Sequence, residues 1–341
     1  MRAAIVGAGN FGTAIANIIA KNGHCTHLWM RDAEQLADMR AYGENRRYLK
    51  GFPLESNVVP TCDMAAAVGV SDIVFLTVPS ASFREVTREV APHMRPGTLV
   101  VSGTKGVEAE GFHLMSQILD ELLPDCVTGV ISGPNLAEEI ADKHYAGTVV
   151  ASRSETLRDA VQTVLRSAEF RVYSSADVYG VELGGALKNI YAIVCGMGAA
   201  LEVGQNTVGM LITRSLAEMS RFAVSLGANP FTFLGLAGVG DLFVTCTSPL
   251  SRNFQLGHRV ASGATLDEAM DQLGKLAEGV NTLAVVRDKS IELDVHMPLM
   301  EGLHDVLFNG ADIEAVIAGL MTGEVVADVE FAEPKTWGFQ R

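Results

Sequence analysis

The stretch ELGGALKNIYAIVCG, residues 182–196, sets one lysine, Lys188, in an apolar run with three glycines. A glycine inside a helix costs about 1 kcal/mol against alanine, so three of them need a reason. Read as a helix, the run has Leu183, Leu187, Ile190 and Val194 on one face. The stripe through Lys188 carries Gly184, Gly185, Ala192, Cys195 and Gly196. A face so bare of side chains admits something close to the backbone, either another helix or a ligand. Close packing alone explains the glycines and leaves the lysine unexplained. Lys188 is therefore read as facing a ligand, with the glycines clearing room for it. A lysine in such a place can donate a proton and stabilise developing negative charge.

A second group with chemical meaning is Gly7-x-Gly9-x-x-Gly12, directly after the apolar run AAIVG. After a first strand and at the start of a helix, this spacing predicts dinucleotide binding. Gly7 permits the turn, Gly9 lets a pyrophosphate reach the helix N-terminus, and Gly12 lets helix and strand pack closely. The end of the second strand reads WMRDA. Arg31 in the deciding place favours NADP, while Asp32, next along, suits the ribose hydroxyl of NAD. NADP is the preferred expectation, with NAD as the alternative. In CTSPLSRN, Ser251 or Asn253 can cap the helix that follows, which puts Arg252 at its positive end as a phosphate ligand or a surface cation. Asp241, after Gly238 and Gly240, is a turn residue, a cap or a group bent toward a cavity. Lys105 follows the run TLVVSG, and Asn135 of GPN follows VTGVIS. Both fall on the carboxyl side of predicted strands, where open α/β sheets bind ligands.

The elements that must position these groups divide the chain in two. Strands are expected at 3–7, 26–30, 72–78, 98–103, 127–132 and 147–152, with a last one at 170–174. Helical patterns lie between most of them. The runs at 72–78 and 98–103 are apolar throughout, as strands covered on both faces are. The pattern predicts an α/β fold: an N-terminal Rossmann-type, mostly parallel sheet over residues 1–178, plus an all-helical C-terminal domain over 179–341. Helices are expected over the two long apolar segments after 178 and near 253–261, 265–273, 278–290, 298–308 and 312–321.

Bulk properties narrow the classes. A chain of 341 residues suits two domains, and 48% hydrophobic content argues for packed cores. The net charge of −14 disfavours nucleic acid and anionic lipid as partners. Five scattered cysteines without a C-x-x-C pair read as reduced thiols, and no metal site is expected. The N-terminus lacks the pattern of a signal peptide, and the uncharged apolar run 190–201 is too short to span a bilayer. A cytoplasmic protein without membrane insertion is expected.

Together, GAGNFGTA, SGTKG, ISGPNLAEE, VELGGALKN, GLAGVGDL, CTSPLSRN and AEGVNT resemble, in order, the motifs of the bacterial-type NAD(P)-dependent sn-glycerol-3-phosphate dehydrogenases. The resemblance runs from the first strand to about residue 282. It implies reduction of dihydroxyacetone phosphate to sn-glycerol 3-phosphate, supplying glycerophospholipid synthesis. It implies Lys188 as the general acid/base and Lys105 as a contact to both cofactor and substrate. Gly133, Asn135, Asp241, Ser251, Arg252 and Asn253 would line the substrate site. The glycine loop with Asn10 and Phe11, together with Arg31, Ala137, Arg252 and Glu278, would reach the cofactor. It also implies a homodimer. Many members carry Ser-Trp where this chain has Asn10-Phe11, and serine where it has Asn135; both exchanges leave the chemistry intact. β-Hydroxyacid and phosphogluconate dehydrogenases fit the SRN segment and the Lys188-Asn189 pair less well, and a non-catalytic NADP sensor would have no use for Lys188.

Overall fold

A computed structural model describes residues 1–274 and 277–322. The chain forms two compact units, Met1–Glu182 and Leu183–Arg341.

The first unit is an eight-stranded sheet. Its strands are β1 (Arg2–Val6), β2 (Cys25–Trp29), β3 (Val58–Thr61), β4 (Ile73–Leu76), β5 (Leu99–Ser102), β6 (Val127–Ser132), β7 (Ala146–Ala151) and β8 (Phe170–Ser175). They lie in the order β3-β2-β1-β4-β5-β6-β7-β8. Every pairing is parallel except β6 with β7. Helices α1 (Asn10–Lys21), α2 (Ala33–Tyr42), α3 (Met64–Val68), α4 (Ser80–Val90), α5 (Met115–Leu122), α6 (Ala137–Ala141) and α7 (Glu155–Leu165) make the connections. Successive strand residues point to opposite faces, and both faces are covered. Ala3 and Ile5 of β1 join one core with Ile15, Ile19 and Phe75, whereas Ala4 and Val6 join another with Val74, Phe83 and Ile118. That double burial is why the strands read as unbroken apolar runs. β3 has no such signal in the sequence. It is a short edge strand containing Pro60, a residue an edge tolerates and a central strand does not.

The strand order reverses between β1 and β4, and the glycine loop leaves the sheet there, at the carboxyl end of β1. Open α/β sheets bind ligands at this switch point.

The described residues of the second unit hold helices and no strand. Helix α8 (Val178–Ala200) carries Lys188, and the unit boundary falls within it. There follow α9 (Gln205–Ser225), α10 (Asp241–Thr247), α11 (Arg252–Ala261), α12 (Leu266–Gln272), α13 (Glu278–Glu292), α14 (Pro298–Phe308) and α15 (Ile313–Thr322). As a helix rather than an uncharged run, α8 is long and apolar enough to cross a bilayer. Its most apolar window is 83% buried inside the protein, so that surface is already covered. The expected C-terminal domain runs on to 341, and residues 323–341 lie outside the described residues.

Candidate active site

Two glycines of the loop, Gly7 and Gly12, stand where a side chain would not fit. Gly7 has φ +118°, and a Cβ there would stand 2.9 Å from the Thr77 carbonyl. A Cβ on Gly12 would stand 2.0 Å from the Gly7 oxygen. Gly9 differs: nothing lies within 4 Å of where its Cβ would be, and no side chain caps α1 there. Two glycines are thus required by the fold, and the third leaves an uncapped helix start open to an anion. The loop is braced from behind. Thr77 Oγ1 donates to the Gly7 carbonyl at 2.9 Å, and Gln35 Nε2 and Asn45 Nδ2 donate to the Ala8 carbonyl at 2.8 and 3.0 Å. Asn10 opens α1, and the ring of Phe11 lies against Gly103, two residues before Lys105.

After β2, Arg31 and Asp32 take different tasks. Arg31 pairs with Glu85 and Glu89 at 3.3 and 2.9 Å, on an exposed surface. Asp32 caps α2, accepting from the backbone N–H groups of Glu34 and Gln35, and pairs with Arg47 at 2.5 Å.

At the carboxyl ends of β5 and β6, Lys105 Nζ donates to the Gly133 carbonyl at 2.8 Å. Gly133 holds φ +145°, so a side chain there would be strained. Asn135 does not cap α6, whose cap position is Leu136. Its Nδ2 donates to the Gly147 carbonyl at 3.0 Å, and its Oδ1 accepts from Thr148 Oγ1 at 2.9 Å. Ala137 is the first residue of α6. Lys105, Gly133 and Asn135 therefore form one cluster at the carboxyl ends of β5 and β6.

Lys188 is buried, 7% exposed, and so is Asp241 at 1%. Lys188 Nζ donates to Asp241 Oδ1 at 2.5 Å and to Thr245 Oγ1 at 2.6 Å. Thr245 gives its own proton to the Asp241 carbonyl one turn back, at 2.6 Å, so its oxygen is left to accept from the lysine. Burying a charge demands such partners. The glycine stripe has another purpose than the one its sequence suggests. A Cβ on Gly184 would stand 2.3 Å from the Ala237 carbonyl oxygen, and one on Gly196 2.0 Å from that of Phe254. Gly257 of α11 returns the fit, with its missing Cβ 1.9 Å from the Ile193 oxygen. The ground at Gly184 and Gly196 is held by neighbouring backbone, not left clear for a ligand. What the close approach achieves is delivery of Asp241 and Thr245 to Lys188: the π-helical turn Leu236–Gly240 presses on Gly184 and opens straight into α10.

Ser251 caps α11, its hydroxyl accepting from Phe254 N, so Arg252 begins the helix at its positive end. Asn253, the other candidate cap, serves a different helix. Its Oδ1 accepts from Gly279 N at 3.0 Å, beside Glu278, the first residue of α13. A Cβ on Gly279 would stand 2.6 Å from the Asn189 oxygen, which places the start of α13 next to the lysine's helix. The second unit thus gathers Lys188, Asp241 and Asn253 around α8, with Ser251 and Arg252 at one helix start and Glu278 at another.

Three groups escaped the sequence reading. Thr245 follows Asp241 at helical spacing, a signal that was present but needed the partner to be known. Glu182 and Glu218 are buried carboxylates without a sequence signature. Glu182 accepts from Ser116 N and Oγ at 3.0 and 2.6 Å, at the start of α5. Glu218 accepts from Tyr191 Oη and from Leu299 N and Met300 N, at the start of α14. Burial pushes each carboxyl up to about 7, against the pull of these donors.

The first unit is a Rossmann-type nucleotide-binding fold, carried in one chain with a helical unit built on a buried lysine. Residues 2–158 match the N-terminal domain of NAD-dependent glycerol-3-phosphate dehydrogenase, and residues 177–318 match its C-terminal domain. The chain belongs to that family. A relative from Saccharophagus degradans, named glycerol-3-phosphate dehydrogenase (NAD(P)+), is 56% identical over 326 residues, covering 96% of this chain and 91% of its own. One from Ectopseudomonas mendocina with the same name is 56% identical over 328 residues, covering 96% of each. The crystal structure of glycerol-3-phosphate dehydrogenase from Coxiella burnetii superposes with a TM-score of 0.90 at 34% identity, over 94% of this chain and 99% of that one.

Proposed function

We propose that the protein is an NAD(P)-dependent sn-glycerol-3-phosphate dehydrogenase that reduces dihydroxyacetone phosphate, with Lys188 as general acid. The observation that carries this is the Lys188–Asp241–Thr245 triad, a buried ammonium held in one geometry by two acceptors. On this reading residues 1–178 bind the nucleotide and 179–341 bind substrate and supply the proton.

The residues fit a dinucleotide: Gly9 and the uncapped start of α1 can receive a pyrophosphate, with Asn10, Phe11 and Gly12 beside it. Arg31, Lys105, Ala137, Arg252 and Glu278 complete the cofactor set. When bound, the nicotinamide supplies the hydride that reduces the substrate carbonyl at C2. Lys188 then gives a proton from Nζ to the oxygen that becomes the alcohol, and its charge stabilises that oxygen beforehand. Asp241 and Thr245 hold the ammonium in place, which fixes the proton's direction. Arg252 and the Ser251-capped start of α11 seat the substrate phosphate, and binding that remote group orients C2. Lys105, Gly133, Asn135 and Asn253 complete the substrate contacts. The product feeds glycerophospholipid synthesis, and the enzyme works as a cytoplasmic homodimer. The test is the loss of NADPH or NADH absorbance on adding dihydroxyacetone phosphate. Turnover supports the reading; cofactor binding without turnover overturns it.

A further inference from the structure

We propose that Arg47 sets selectivity for the phosphorylated cofactor: paired with Asp32, it cancels that carboxylate and joins Arg31 in seating the adenosine 2′-phosphate of NADP. This rests on the cofactor reading above and goes further, to a residue outside the glycine loop and the β2 end. In this fold the short segment that follows β2 meets the adenosine ribose, and a carboxylate there, such as Asp32 three residues after the last residue of β2, ordinarily accepts its hydroxyl. Asp32 is otherwise occupied. One oxygen accepts from Glu34 N at 2.8 Å and Gln35 N at 3.2 Å, and the other takes Arg47 Nη1 at 2.5 Å. Those backbone bonds, then Arg47, hold its carboxyl below the usual carboxylate range, so it stays anionic at neutral pH. An anionic Asp32 alone would repel a phosphate. Arg47 removes that repulsion and adds a planar fork of donors suited to phosphate.

Arg47 is also well placed to act with the loop. Its neighbour Asn45 is buried and donates to both the Ala8 carbonyl and Thr13 Oγ1, and Leu49 is 1% exposed. The segment bearing Arg47 is thus fastened to the glycine loop and the first turns of α1. Arg31, on the other side of Asp32 in sequence, is held only by exposed pairs to Glu85 and Glu89, which contribute little and exchange readily for a phosphate. Arg46 is committed elsewhere, 3.5 Å from Asp38 and stacked 3.9 Å over the Tyr42 ring, which makes it a control.

The test is fluorescence titration of NADPH and of NADH into the full chain without substrate, for wild type, Arg47→Ala, Asp32→Asn and Arg46→Ala. Loss of one charge-assisted contact weakens NADPH about tenfold in Arg47→Ala, with a much smaller change for NADH. Arg46→Ala leaves the ratio of the two affinities as in wild type. Equal weakening of both nucleotides in Arg47→Ala, or no weakening, overturns the proposal. Asp32→Asn releases Arg47 and keeps NADH binding; a collapse of NADH affinity there would make Asp32 the ribose ligand and equally overturn it. Should Arg47→Ala fail to fold, Arg47→Gln, which loses the charge and keeps most of the side chain, is read by the same two titrations with the same expected and contrary results. Wild type that binds neither nucleotide refutes the underlying cofactor reading, an outcome distinct from an Arg47 without effect.

Discussion

A single methyl group at position 184 separates the two explanations of the glycine stripe. The Cβ of Gly184→Ala would stand 2.3 Å from the Ala237 oxygen, over 1 Å inside ordinary contact, and the clash is with backbone. Overpacking of this kind costs about 1–3 kcal/mol, while alanine's helix propensity returns about 1 kcal/mol. The net expectation is a loss of about 0–2 kcal/mol in stability. The effect on turnover is larger. Ala237 lies in the turn that opens into α10, so pushing it away moves Asp241 and Thr245 relative to Lys188. A displacement near 1 Å at a catalytic group costs about a hundredfold in rate. Gly209→Ala is the control: it lies within α9, with nothing inside 4 Å of its would-be Cβ, and should gain about 1 kcal/mol with unchanged turnover. Urea unfolding and steady-state reduction of dihydroxyacetone phosphate read both variants. If Gly184→Ala is stabilised like Gly209→Ala and keeps full turnover, the close-packing account is wrong.

Other expectations follow from the same geometry. Arg252→Ala should raise KM for dihydroxyacetone phosphate by about tenfold or more, through loss of a charge-assisted phosphate contact; an unchanged KM removes that role. Ser251→Ala removes the cap of α11 and should cost about 1 kcal/mol in urea unfolding; full stability would mean the cap contributes nothing. Glu182 and Glu218 have folded pKa values raised to about 7 against an ordinary 4.5. As pH rises from about 4.5 to 7 the unfolded chain gives up these protons first, so these two groups make the folded state lose stability across that window. The paired variant Glu182→Gln, Glu218→Gln should show a flatter urea midpoint between pH 5 and 7.5; an undiminished slope would assign the dependence to other groups.

What the sequence disclosed and what it hid differ in a physical way. The glycine loop was legible because its spacing after an apolar strand is a local pattern: Gly12 answers to the Gly7 oxygen within the motif, although Gly7 itself meets Thr77 from a distant part of the chain. The parallel sheet was legible because strands covered on both faces must be apolar throughout. β3 was not, since an edge strand of four residues has neither alternation nor a long apolar run. Lys188 stood out on its stripe, but its partners lie 53 and 57 residues on, beyond any periodicity. The stripe suggests room for a ligand because a bare helix face looks the same from the sequence whichever backbone comes to fill it. Glu182 and Glu218 are invisible for a related reason. A carboxylate that serves the start of another helix is chosen by that helix, not by its neighbours in the chain. Asp32 illustrates the converse: its type and position suit NAD, and only the structure reveals Arg47 drawn to it from 15 residues away.

On the proposed function, Lys188 supplies the proton. The direct measurement is the rate of NADPH oxidation with saturating dihydroxyacetone phosphate in Lys188→Ala, beside a fluorescence titration of NADPH into the same protein. Turnover should fall by about a thousandfold with NADPH affinity retained, the loss expected for a missing general acid. Near-normal turnover in a variant that binds NADPH would contradict it.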